Sequence, residues 1–580
     1  MSPPLRSSRW FAGHDVPGFL HRTALRAEGL SSASIAGRPV IGICNSQSEL
    51  VNCNVHFDAL ANAVKRGILQ AGGLPLEFHT ISLGEQLMKP TTMLYRNLMA
   101  MDVEECLRSY PLDAVVLIGG CDKTIPAQLL GAASADVPAI ALSGGPAAPA
   151  VFRGRALGVG TDLWHYTDQL RAGQMTQAEY DELEAASSPS VGHCPEMGTA
   201  STMAALLEGL GMALPGSATA PAVDARRYHW AEETGRRAVD VAREQLRPSA
   251  ILTGAAFDNA ITLLLGLGGS VNAVVHLLAL AGRVGVELPL RHFDEIAQRT
   301  PAIVDVRPVG EQLVEQLFHA GGVPEVLHEL APLLELDALT VTGRSLGASL
   351  PARRAERSEV VRTLDAPIRP PGGLAVLHGS LAPSGALVKP SVADPRLLQH
   401  RGPALVFEGI EDLGARIDDP DLPVDADTVL VLRNVGPRGG PGMPEWGQLP
   451  IPQKLLRAGV RDMLRISDAR MSGTAFGAAV LHVAPEAAAG GPLALVRDGD
   501  QIELDLAQRR LDLCVAEEEL ELRRATWSPP PRAYQRGYGA LYLDHVLQAD
   551  EGCDFDFLRG RSADPEHEPL GVLRGWIGGW

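Results

Sequence analysis

Cysteine is scarce in this chain: there are seven among 580 residues, irregularly spaced and with no C-x-x-C pair. That argues against a zinc ribbon or finger, and the odd count argues against a disulfide-built secreted scaffold. Basic residues are also in deficit, 51 Lys and Arg against 69 Asp and Glu, for a net charge of −18. Phosphate backbones need concentrated Lys and Arg, so nucleic acid is not expected as a partner. An anionic small molecule stays open, because a local metal or cationic site can dominate the field. The first residues, Met1 to Phe11, lack the apolar core of a secretory signal. The one long stretch without charge, Ala260 to Gly282, is broken by Gly268-Gly269-Ser270 and carries Asn272 and His276. Such groups are costly in lipid. The expectation there is a buried helix with a Gly-rich turn, not a membrane span, in a reducing, cytoplasmic compartment.

What is present is the composition of an ordinary globular enzyme, in a chain too long for one core. In the first half, short apolar runs alternate with helix-length segments. Pro39 to Cys44, Asp113 to Gly120 and Val137 to Gly145 read as strands, and Val55 to Gln70 has helical periodicity. This pattern predicts a parallel sheet covered by helices, with active groups at the carboxyl ends of its strands. The texture changes between Arg353 and Gly373. Beyond it, pieces such as Leu374 to His378, Ala404 to Phe407, Thr428 to Leu432 and Asp500 to Leu506 read as short strands between turns. The expected fold class is therefore α/β: an N-terminal parallel-sheet α/β domain over 1–370 and a C-terminal β-barrel-like domain over 371–580.

Three cysteines sit in polar or Gly-flanked loops: Asn52-Cys53-Asn54, Gly119-Gly120-Cys121-Asp122-Lys123 and Gly192-His193-Cys194-Pro195. Free cysteine is usually a small buried hydrophobe, a reading that suits Cys106 and Cys514. It suits Cys121 poorly, since that residue follows an apolar strand and precedes two charges. An iron–sulfur cluster normally takes four protein ligands; with three, one iron keeps an open position for a substrate oxygen. Carboxylates adjoin the same kinds of loop: Glu85 after a strand-like segment, Asp122 beside Cys121, and Glu445 in a Pro/Gly loop of the second domain. Each alone reads as a solvated loop residue. Together, hard oxygen ligands from several loops are what magnesium requires. Lys123 is out of place in such a group, so it is either exposed or has lost its charge. Asp468 to Gly477 reads as a Gly- and Ser-rich loop opening a helix, either an anion site or a Ser/Thr-capped start. Ser472 has no His near it in sequence, so a hydrolase elbow is not signalled.

Assembled, these segments resemble the dihydroxy-acid dehydratase and phosphogluconate dehydratase family through nearly the whole chain. The pieces that carry the resemblance are Lys89 to Glu105, Gly119 to Thr124, Met197 to Met203, Gly439 to Glu445 and Asp468 to Thr474. The Thr91 to Asp102 stretch is similar to the sugar-acid branch, the arabinonate and xylonate dehydratases. The resemblance implies that Cys53, Cys121 and Cys194 hold an iron–sulfur cluster, 2Fe–2S in preference to 4Fe–4S. Cys44 is a competing ligand by sequence proximity, but the Asn-Cys-Asn-x-His context belongs to Cys53. The resemblance also implies that Glu85, Asp122, a carbamylated Lys123 and Glu445 surround a magnesium ion, with Ser472 as base and Thr474 beside it. The expected partner is a small anionic polyhydroxy acid, which loses water to leave a 2-keto-3-deoxy acid, in a homodimer or homotetramer. The rival readings are a dehydratase of branched-chain amino-acid synthesis and a non-catalytic iron–sulfur or zinc protein. Pro195, Glu196, Gln47, Trp446 and Gln448 depart from the family pattern. They are read as changes of substrate pocket, with Glu196 as an extra carboxylate affecting substrate charge preference.

Overall fold

A computed structural model describes residues 4–353 and 358–560. Residues 1–3 of the N-terminal stretch and 354–357 of the expected boundary region lie outside them. The first sheet is built from β1 (Val40–Asn45), β2 (Leu74–His79), β3 (Ala114–Gly119) and β4 (Ala139–Ser143), all parallel, in the order β2-β1-β3-β4. Every residue of β1, β3 and β4 is buried, which explains their unbroken apolar runs: both faces of the sheet are covered.

The cover is helical. Phe57, Leu60, Ala61, Val64 and Ile68 recur at helical spacing along α1 (Phe57–Gln70) and form its buried stripe. After β2, α2 (Thr92–Ser109) starts on a Thr91 side-chain cap, and after β3, α3 (Thr124–Ala135) runs back along the sheet. A hairpin of β5 (Ala150–Phe152) and β6 (Arg155–Leu157), with α4 (Val159–Arg171) and α5 (Gln177–Ala186), forms an excursion with its own small core. The chain re-enters the main body at α6 (Thr199–Gly209) and α7 (Ala225–Glu244), which packs along α1. The uncharged stretch of the sequence becomes two helices, α8 (Gly254–Gly266) and α9 (Asn272–Val284), joined by the Gly-rich turn. No helix among the described residues is long and apolar enough to cross a membrane.

The second sheet has eight strands: β7 (Ala375–Leu377), β8 (Gly385–Val388), β9 (Gln399–Phe407), β10 (Val429–Leu432), β11 (Arg465–Ser467), β12 (Ala479–Ala484), β13 (Gln501–Asp505) and β14 (Arg510–Leu513). Their order is β14-β13-β9-β10-β11-β12-β8-β7, parallel in the middle and antiparallel at both ends. His378, just past β7, exchanges backbone hydrogen bonds with Arg509 and Leu511, both at 2.9 Å. That contact brings the two edges together, so the expected barrel is present and nearly closed. Closure leaves little free edge on which a neighbouring chain could pair.

Candidate active site

The C-terminal ends of the parallel strands carry the predicted residues. Cys53 lies in the turn between β1 and α1, Glu85 follows β2, and Cys121, Asp122 and Lys123 link β3 to α3. Cys194 precedes α6, Glu445 lies in the long loop after β10, and Ser472 and Thr474 lie between β11 and β12. All of these except Lys123 line one cavity of about 450 Å³ at the junction of the two sheets' loop ends. Lys123 is fully buried behind that wall.

The structure excludes an exposed Lys123. Its ammonium donates to Asp122 Oδ2 at 2.5 Å and Glu445 Oε1 at 2.9 Å, and it pairs with Glu85 Oε2 at 3.5 Å. The three carboxylates are mostly buried and are not the solvated loop groups that each resembled alone. Burial by itself would raise the Glu85 carboxyl, but Lys123, Arg470 and a bond from Thr92 pull it down to about 2. Asp122 shifts the other way, because its burial and the neighbouring Glu85 and Glu445 outweigh Lys123. The Lys123 ammonium is desolvated and faces Arg470, yet the three carboxylates hold it firmly protonated.

The Cys121 and Cys194 thiols are held in the protonated form in this setting. Contact with the Cys53 thiol, then burial, raises Cys121; burial and nearby carboxylates raise Cys194. Thiolate formation here needs a compensating polyvalent cation. Three sulfurs and three carboxylates line one cavity, with Lys89 also on its lining and Lys123 and Arg470 paired to the carboxylates, and form a donor set that fits such cations. The carboxylate oxygens do not converge tightly by themselves, because the Lys123 ammonium fills the space between them. Among the described residues, the trio of potential ligands lying within 4.8 Å of one another is elsewhere, at Asp58, Glu77 and His79.

Several contributors escaped the sequence reading. Asn272, at the start of α9, donates to Glu445 Oε1 at 2.8 Å and to the Met471 carbonyl at 2.9 Å, tying the two domains at the site. Arg470 donates to Glu445 Oε1 at 2.9 Å and to the Met443 carbonyl at 2.8 Å. The Thr92 hydroxyl holds Glu85 Oε2. Trp164 and His193 also face the cavity, and burial holds the His193 ring neutral, with its pKa lowered to about 3. An uncharged run had hidden Asn272. The capping preference of Thr before a helix was the available signal for the Thr91–Thr92 pair.

Some expectations are corrected. The Asp468–Gly477 loop does not open a helix; it runs through a turn into β12, so neither a helix dipole nor a capped helix start operates there. Cys514 is exposed, and Cys106 is only half buried. The free thiols that fit the small-hydrophobe role are Cys44 and Cys553. Cys44 lies within β1, fully buried against Gln128, and does not line the cavity. Of the departing residues Trp446 lines the cavity, while Gln47, Pro195, Glu196 and Gln448 do not.

The model for the N-terminal domain of the dihydroxy-acid/6-phosphogluconate dehydratases matches residues 38–349, and the C-terminal model matches 359–553. An L-arabonate dehydratase from Azospirillum brasilense is 52% identical over 97% of this chain and 99% of its own length. A 6-deoxy-6-sulfo-D-gluconate dehydratase from Pseudomonas putida is 47% identical over 97% of this chain and 98% of its own. A dihydroxy-acid dehydratase from Ignicoccus hospitalis is 44% identical over 93% of this chain and 98% of its own.

Proposed function

The chain belongs to the dihydroxy-acid/6-phosphogluconate dehydratase family and is a hydro-lyase; from that premise we propose that it converts an aldonic acid to a 2-keto-3-deoxy acid and water. The observation that carries this reading is the convergence of Cys53, Cys121, Cys194, Glu85, Asp122, Glu445, Ser472 and Thr474 on one cavity. The sugar-acid names of the arabonate and sulfogluconate relatives support an aldonic substrate.

In this reading Cys53, Cys121 and Cys194 would hold an iron–sulfur cluster, 2Fe–2S in preference to 4Fe–4S. Glu85, Asp122, Glu445 and a carbamylated Lys123 would surround magnesium. When bound, the two metals supply Lewis-acid polarisation of the substrate carboxylate and hydroxyl oxygens. Carbamylation is supported by position: the Lys123 ammonium occupies the point reached by all three carboxylates, where a second cation would be repelled. A carbamate replaces that positive charge with oxygen donors.

Ser472 takes the proton from C2. The electron pair left behind forms the C2–C3 double bond as the C3–O bond breaks, the departing hydroxide takes the proton back from Ser472 and leaves as water, and the enol tautomerises to the 2-keto acid. A neutral hydroxyl is a weak base, so its alkoxide must be favoured. The Thr474 hydroxyl lies 2.8 Å from Ser472 Oγ and the Thr474 N–H reaches it at 3.4 Å, two donors placed for a developing negative charge. Asn272, through the Met471 carbonyl, fixes the loop that presents this pair. Leu163, Trp164 and Trp446 give the cavity apolar walls against the carbon chain. A cytoplasmic homodimer or homotetramer remains part of the proposal.

The test is 2-keto acid release by anaerobically purified, magnesium-supplemented protein against pentonates, hexonates and 2,3-dihydroxyisovalerate. Turnover of one or more aldonates is expected. Turnover of dihydroxyisovalerate alone would move the chain to branched-chain amino-acid synthesis and toward the dihydroxy-acid dehydratase name of the Ignicoccus relative.

A further inference from the structure

Glu196 was expected to bring charge to the substrate pocket, and the structure places it differently. Its side chain is fully buried and points at the first turn of α4. Oε1 accepts from the Gly160 N–H at 2.6 Å and from the Thr161 N–H at 3.1 Å. The first amides of a helix have no partner within it, and a side chain at the N-cap normally satisfies them. Here the N-cap is Gly158, which has no side chain to offer. Glu196 supplies the cap from 35 residues downstream of Thr161.

Two glycines make this arrangement possible. A Cβ on Gly158 would lie 2.5 Å from Glu196 Cγ and 2.7 Å from its Oε1, so a larger residue would expel the carboxylate. A Cβ on Gly160 would collide with the Thr474 side chain, so the first turn of α4 rests directly on Thr474. One turn further on, Leu163 and Trp164 form part of the cavity wall. Arg307 Nη1 and the Gly158 N–H both bond Asp162 Oδ2, at 2.7 and 2.8 Å, which holds the same turn from its other side. At its far end, Arg171 pairs with Asp418 of the second domain at 2.7 Å.

We propose that Glu196 is a positioning residue that caps α4 in trans and thereby holds the Leu163–Trp164 wall closed over the bound polyhydroxy acid. The proposal rests on the dehydratase reading for its substrate, but the clamp itself is a property of the folded chain. Substrate retention depends on it more than chemistry does, because the Ser472 loop keeps its separate anchor on Asn272.

The experiment compares cluster-loaded wild type with Glu196→Ala and Glu196→Gln. Glutamine keeps one oxygen for the two N–H donors and places its NH₂ where Oε2 has no hydrogen-bond partner, so it should preserve the clamp. In Glu196→Ala, hydrogen exchange at the α4 amides should rise about 10-fold, the scale of a lost helix cap, with exchange elsewhere unchanged. KM for the aldonate should rise about 10-fold with kcat within about 3-fold, and Glu196→Gln should return both to within about 2-fold of wild type. Iron content should match in all three proteins. Unchanged α4 exchange in Glu196→Ala would overturn the proposal, as would loss of iron with α4 still protected, which would put Glu196 in the service of the Cys194 loop. Exchange is read without substrate. A chain that dehydrates no aldonate but loses α4 protection therefore refutes the substrate reading and leaves the clamp standing.

Discussion

Gly473→Ala is the sharpest test of how the catalytic loop is seated. A Cβ at this position would lie 2.6 Å from Ser270 Oγ, 2.7 Å from Ser270 Cβ and 2.8 Å from the Thr199 backbone nitrogen. None of these can easily retreat. Ser270 Oγ bonds Thr199 Oγ1 at 2.8 Å and accepts from the Asn272 N–H at 3.2 Å, and Thr199 begins α6. Ordinary carbon contact begins near 3.5 Å, so the 471–474 loop must withdraw by roughly 0.5–1 Å. Ser472 is the adjacent residue and moves with it, and the 2.9 Å bond from Asn272 to the Met471 carbonyl stretches. Overpacking of this kind costs about 1–3 kcal/mol, and a misplacement near 1 Å costs about 100-fold in rate. The expected result is a fall in kcat of about two orders of magnitude, with iron content unchanged and a Tm lowered by a few degrees. The assay is semicarbazone absorbance of the released 2-keto acid, alongside thermal unfolding. In Ser270→Gly/Gly473→Ala two of the three collisions are gone, and part of the activity should return. Gly473→Ala with kcat within about 3-fold of wild type would refute the seating of the loop on α6 and the α8–α9 turn.

Ser472→Ala should lower kcat by at least about 1,000-fold while iron content and aldonate binding, measured by calorimetry, stay as in wild type. Cys53→Ser, Cys121→Ser or Cys194→Ser should each strip visible absorbance and iron from the purified protein, whereas Cys44→Ser should leave both intact. Chelation of magnesium from cluster-loaded protein should abolish turnover, with return on adding magnesium back; residual activity in EDTA would count against the carboxylate set as a metal site. Stability should also depend on pH through Glu208, which is buried and accepts from the Gly216 and Ala218 N–H groups at 2.7 and 2.8 Å. Burial pushes its carboxyl up to about 7. A raised carboxyl binds its proton more tightly in the folded state, so its contribution is full below about pH 4.5 and is lost as pH rises through about 7. That contribution is about 3 kcal/mol. Thermal unfolding from pH 5 to 8 should show the decline, and Glu208→Gln should flatten it.

The sequence by itself determined the parts that depend on local chemistry. Apolar runs within Val40–Asn45, Ala114–Gly119 and Ala139–Ser143 encode strands buried on both faces, the pattern of a parallel, helix-covered sheet. Donor types at Cys53, Cys121, Cys194, Glu85, Asp122 and Glu445 were legible because thiols and carboxylates in Gly-rich loops are poor core material. Tertiary structure decided what depends on distance across the chain. Lys123 and Glu445 are 322 residues apart and meet at 2.9 Å only because two sheets present their loop ends to one cavity. Asn272 read as an awkward polar residue in an apolar run, and packing made it the tie between the domains. Glu196 looked like pocket charge from its place beside a cysteine, but two side-chain-free positions, Gly158 and Gly160, let a helix end approach closely enough to take it. Sequence fixes which groups a loop carries and the period of its neighbours; the direction in which a loop side chain points is set by what packs against it, and that partner is usually remote in the chain.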